Sequence, residues 1–149
     1  MFGNLYFLSG VVNNIGLLAI NRMYTNASAL AIMSPTVFSI ESQMLIQVWG
    51  LAYISVAKKW KQVPLLSLVF AFEKFLYSYW WLLWIKDEVN RNMAVNMVKS
   101  GVLGDMVTGG FFLTYGVNDL LFGLVFLAGA VQGFVNSAEK SKSKSSKAP

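Results

Sequence analysis

The chain has neither cysteine nor histidine. The first absence removes disulfides, thiolate ligands and cysteine nucleophiles. The second removes imidazole metal sites, histidine-ligated haem and serine–histidine acyl transfer. An all-carboxylate metal site has little support, so no metal and no cofactor is expected. Charge is scarce too: charged residues make up 13% of the chain, against 56% hydrophobic.

What fills the sequence is a set of four long apolar stretches, at about 5–22, 37–57, 64–85 and 110–131. A hydrocarbon core of about 30 Å takes roughly 20 helical residues to cross. In lipid only helices and closed barrels satisfy their backbone groups, and continuous rather than alternating apolar runs favour helices. The expected fold is an all-α integral membrane protein: a four-transmembrane-helix bundle over residues 1–136. The Lys- and Ser-rich segment 137–149 reads as a disordered cytoplasmic tail. The opening Met1-Phe-Gly-Asn lacks a basic start, so the first stretch is expected to be a retained span rather than a signal peptide.

Net charge is +5 with an isoelectric point near 9.5, yet the distribution points away from nucleic acid. Lys58, Lys59 and Lys61 crowd the second connection, and Lys140, Lys142, Lys144 and Lys147 fill the tail. If the spans alternate, those segments share a side, and basic loops stay cytoplasmic. Both termini are therefore expected inside. Against these seven cations stand four on the other face: Arg22, Lys86, Arg91 and Lys99.

The connections carry further signals. Asn26-Ala-Ser28 is a formal glycosylation sequon, which chance alone also produces. Ser34-Pro35 opens the second span. The short link 58–63 predicts that the second and third spans are antiparallel neighbours. Tyr77 to Trp84 is an aromatic run that suits an outer interfacial belt, or else the wall of an apolar ligand site. Between the third and fourth spans, Met93, Ala94, Met97 and Val98 cluster on one side of a helical wheel. That pattern predicts a short interfacial helix bounded by Gly101 and Gly104.

Polar residues sit at the centre of every stretch: Asn13 and Asn14, Gln47, Glu73 and Lys74, Asn118 and Asp119. Four at matching depth suggest one shared layer. A central charged residue costs roughly 3 kcal/mol on insertion scales, so each is a candidate for function. Asp119 lies between Gly116 and Gly123 on one helical face, which lets a neighbour approach. That face is expected to pack on the third span and to pair Asp119 with Lys74. Tyr77 stands one turn from Glu73 and could donate to it. The ligand or proton site candidates are therefore Glu73, Lys74, Asp119, Asn118, Gln47 and Tyr77, with Phe70, Trp80 and Phe122 as further walls. Arg22 and Glu41, at similar outer depth, form the candidate interfacial ion pair. Asn13, Asn14, Asn21, Gln43 and Gln47 read mainly as helix glue.

The four spans in about 150 residues, the intramembrane carboxylates and the lysine-rich tail loosely resemble the sterol-isomerase and sigma-2-receptor superfamily, most in Leu5–Ser9 and Glu41–Gln47. Bacterial four-span DoxX-like families look comparably similar. No residue role carries across from either.

Three functions remain open. The preferred one is a non-catalytic module that binds or transports a small apolar ligand, a lipid or a proton through the polar layer. The second is a membrane-embedded lipid isomerase using carboxylate acid–base chemistry. The third is an accessory subunit of a larger membrane complex, or a homo-oligomer, with Gly129 and Gly133 as a contact for a partner helix. The lipid bilayer is the common partner in all three.

Overall fold

The computed structural model describes the backbone of residues 1–145, and side chains through Lys140 and at Lys142. Among the described residues every regular element is helical and there is no strand. The first rod combines α1 (Phe2–Val11), a wide turn (Val12–Gly16) in which each bond reaches five residues back, and α2 (Leu17–Ile20). Two short helices follow, α3 (Ala27–Met33) and α4 (Pro35–Phe38). The other rods are α5 (Ile40–Val56), α6 (Pro64–Lys86) and α8 (Leu103–Ser145), with α7 (Glu88–Lys99) between the last two.

Glycine decides which rods approach closely. α6 lies along α8 with Trp81 on Gly116 and Phe75 on Gly123. α1 lies along α5, where Gly10 meets the Gly50 carbonyl and Gly3 meets that of Ala57. In both pairs residue numbers rise on one rod as they fall on the other, so the partners are antiparallel. The second and third stretches, expected to be antiparallel neighbours, do meet, but through the side chains of Trp49, Tyr53 and Phe70 rather than by close backbone approach. Bulky side chains face each other there, whereas small ones line the two close pairs.

Two aromatic clusters form the core. One gathers Leu17, Phe38, Trp84, Phe112 and Tyr115; the other gathers Tyr6, Tyr53, Phe70 and Phe126. In each rod the central polar residue falls between members of the two clusters.

Length and hydropathy alone support two of the four expected crossings, and several local expectations are corrected. Two helices among the described residues, Phe2–Ile20 and Leu103–Lys140, are long and apolar enough to cross a membrane. The second stretch breaks at Ser39, whose extended backbone and side chain cap α5 through the Ser42 N–H at 3.1 Å and leave that helix 17 residues. The third stretch is diluted by Glu73, Lys74 and its Trp/Tyr run. The supposed loop 23–35 contains α3, which buries Ala27, Leu30 and Met33, and Asn26 sits half-buried at its start. From Ser137, where a disordered tail was expected, α8 continues to Ser145, in keeping with the helix formers Ala138, Glu139, Lys140 and Lys142. The expected tail beyond Ser145 lies outside the described residues.

The helix expected between the third and fourth stretches is present as α7. Asp87 caps it through the Asn90 N–H at 3.1 Å, and Gly101 (φ 76°) turns the chain toward α8. Ala94, Met97 and Val98 pack inward over Gly109.

Candidate functional site

The first rod enters the polar layer through its wide turn, which carries Asn13 and Asn14. Asn14 bonds back to the Gly10 carbonyl at 2.9 Å, and Asn13 points across the helices. Lys74 on α6 answers from the far side: its Nζ donates to Asp119 Oδ1 at 2.7 Å and to Asn13 Oδ1 at 3.0 Å. Asn13 in turn donates to the Ile46 carbonyl of α5 at 3.4 Å. One ammonium thus ties three rods together while only 2% exposed. An ion pair this deep needs such extra partners, because desolvating both charges otherwise offsets their attraction.

Glu73, about 100° round α6 from Lys74, looks elsewhere. Its Oε2 accepts from the Tyr53 hydroxyl of α5. Its Oε1 is buried with no hydrogen-bond partner. The Tyr53 ring also lies under Lys74, 5.5 Å from Nζ to the ring centroid, so the two halves of the layer share this one aromatic side chain.

A cavity of about 250 Å³ opens beside this network. Glu73, Lys74, Asp119, Asn118 and Tyr77 line it, with Phe38, Ile46, Phe111 and Tyr115 among its apolar walls. The volume exceeds the roughly 150 Å³ apolar cavity known to hold benzene. The Tyr115 hydroxyl is a second buried group there without a partner.

Of the sequence candidates, Glu73, Lys74, Asp119, Asn118 and Tyr77 are brought to one cavity, and the Lys74–Asp119 pair is present. Gln47 is not part of it: its Nε2 is buried and unpartnered, away from the cavity lining. Tyr77 lines the cavity, but Glu73's donor is Tyr53. Of the further walls, Phe70 packs in the Tyr6–Phe126 cluster with Phe122 against it, and Trp80 packs on Tyr77 outside the lining. Arg22 and Glu41 form no ion pair among the described residues. Arg22 instead lies against Gly104, its backbone turned to φ 50° at the start of a left-handed run through Tyr24. Asn21 steadies that run by accepting from the Tyr24 N–H at 3.1 Å.

The aromatic run also divides. Trp81 and Trp84 turn inward and donate to the Phe112 and Met33 carbonyls at 2.9 and 2.8 Å, while Tyr79 faces out. The Gly129–Gly133 face, expected to wait for a partner helix, is covered within the chain by Tyr6 and Pro64. Tyr53, Asn13 as an acceptor and Tyr115 were missed as site residues. Asn13 stood in the central polar set, whereas Tyr53 and Tyr115 sit in apolar runs with nothing local to single them out. The Gln43–Asn21 bond at 3.1 Å, with Gln43 donating to the Ala27 and Phe38 carbonyls, is the satisfied glue expected of such residues.

No family model, no curated protein and no solved structure matches this chain.

Proposed function

We propose that the chain is a four-span membrane protein whose polar layer binds a small ligand, apolar in its body and polar at one end. The observation that carries this reading is the cavity itself, apolar over most of its wall and floored by Glu73, Lys74 and Asp119. A water-filled crevice would not need three buried ionisable groups, and a purely structural pair would not need Glu73.

The membrane setting is supported by a distribution opposite to that of a water-soluble protein. The charges Glu73, Lys74 and Asp119 are buried, while Ile15, Leu51, Phe72 and Leu121 are each about 60% exposed or more. Outward apolar faces this extensive are foreign to soluble monomers. The most apolar windows of Phe2–Ile20 and Leu103–Lys140 are only 28% and 33% buried, unlike the core helix of a soluble domain. In this reading α4, α5 and the turn to Gln62 together make the second crossing and α6 the third. In the same reading the interface holds α7, and the lysines at 58–61 and 140–147 favour a cytoplasmic side for both termini.

Native mass spectrometry of protein extracted in mild detergent tests the proposal. A co-purified small molecule or lipid, bound one to one and released on unfolding, is expected. Consistently bare protein, under conditions that preserve ordinary lipid adducts on other membrane proteins, would contradict it.

A further inference from the structure

The cavity is partly open, and its rim, the partly exposed part of the lining, belongs chiefly to two rods. On the first rod the rim is Val12, Gly16 and Ile20, spaced four apart. On α8 it is Phe111, Thr114 and Asn118. The two rods do meet, but toward the other end, where Gly129 receives Tyr6 and Tyr6 packs on Phe126 at 4.7 Å. They also meet beyond the cavity, where Arg22 lies against Gly104, and Leu17 packs in the cluster of Phe112 and Tyr115; between these ends Lys74 links them, reaching Asn13 on one side and Asp119 on the other. Gly16 shows how empty the gap is: a Cβ there would meet nothing nearer than Val12 Cγ1, at 4.0 Å. Val12 and Thr114 are exposed beside it.

Resting on the four-span reading above, we infer that this slot is a sideways portal through which a hydroxyl-headed amphiphile passes from the hydrocarbon layer into the cavity. The slot runs from the level of Asn13 and Asp119 toward Ile20 and Phe111, so in a four-span arrangement its inner end faces acyl chains. The polar end is identified by what is left unpaired. Asp119 and Asn13 already have Lys74, whereas Glu73 Oε1 accepts nothing and the Tyr115 hydroxyl is free. A hydroxyl head donates its one proton to the first and accepts from the second. A head that only accepts leaves Glu73 unsatisfied, which is costly in a dry site. The tail stays in the slot between the two rim rows.

The absence of cysteine makes the test direct. The double variant Gly16→Cys with Thr114→Cys is reconstituted in phosphatidylcholine vesicles and bridged across the slot with a short, reducible bis-thiosulfonate linker. The probe is a twelve-carbon primary alcohol carrying a photoactivatable diazirine near its hydroxyl, and labelled peptides are mapped by mass spectrometry. The reduced variant is expected to be labelled among residues 111–119 and 73–77. Bridging before the probe is added should cut that labelling at least tenfold. Bridging after loading should trap the probe against washing, and reduction should release it. The methyl ether of the same probe should label at least tenfold less. Equal labelling whether or not the slot is bridged would overturn the portal while leaving the cavity as a binding site. Cavity labelling by ether and alcohol alike would overturn the hydroxyl head. Labelling confined to outward faces, with none in the cavity of the reduced variant or the unaltered chain, would overturn the binding reading together with the portal.

Discussion

Glu73 and Lys74 are neighbours in sequence with opposite situations, and the difference predicts opposite responses to mutation. Lys74 has two oxygen partners, Asp119 and Asn13, and lies over the Tyr53 ring. Asp119→Asn strands a buried ammonium and should cost about 3–5 kcal/mol, read as a lowered Tm in detergent. Adding Lys74→Met removes the stranded charge and should recover most of the loss. A double variant no more stable than the single would show that the pair is not what Lys74 needs. Glu73 holds one partner, so Tyr53→Phe should cost about 1–3 kcal/mol by leaving the carboxyl without any donor. The same change in a Glu73→Gln background should cost measurably less, and strict additivity in thermal unfolding would dismiss the coupling. The Lys74–Asp119 pair was legible in the sequence, because Gly116, Asp119 and Gly123 share a helical face. The Tyr53–Glu73 bond was not. Local spacing offers Glu73 a donor one turn away at Tyr77, but which side of α6 faces α5 is set by tertiary packing alone.

Glycines at crossings and glycines at openings should behave differently when replaced. Gly50 is pressed by Asn14 and by Asn13 Cβ, the latter 2.9 Å from where its own Cβ would stand. Gly50→Ala should therefore force the wide turn of the first rod from α5 and destabilise by about 1–3 kcal/mol. Gly16→Ala meets open space and should be neutral or stabilising by up to about 1 kcal/mol, since glycine is a poor helix former. Equal effects at the two sites, measured by thermal unfolding, would contradict the assigned packing. At this scale the sequence announced helices well, since long apolar runs leave few alternatives. It concealed the break at Ser39, because a serine inside an apolar stretch reads equally as a mid-helix residue or a cap. It did not announce which rods approach most closely: a short link brings α5 and α6 together, yet their bulky facing side chains keep the backbones apart, and the glycine-lined pairs lie closer.

Across the whole molecule, the polar layer divides two aromatic clusters and draws on all four rods; three of the four polar centres of the sequence meet in it, whereas α5 joins through Tyr53 and the Ile46 carbonyl rather than through Gln47. Only two of those rods are apolar and long enough to announce a crossing by themselves. Of the other two, α6 carries Glu73 and Lys74 and α5 starts only after the break at Ser39, which lowers the hydropathy of one and shortens the other. Topology is directly testable in this cysteine-free chain. Lys59→Cys and Lys140→Cys should react with an impermeant maleimide from the cytoplasmic side, and Asn90→Cys from the other; labelling of all three from one side would refute four crossings.

The most direct measurement of the central claim compares unaltered protein with Glu73→Gln in native mass spectrometry, with Tm recorded on the same samples. Gln keeps an acceptor for Tyr53 and changes little else in the packing. A binding site predicts that the bound molecule is lost or reduced at least tenfold while Tm shifts by only a few degrees. Retention of the bound molecule together with a large drop in Tm would show instead that Glu73 serves the fold and that the layer binds nothing through it.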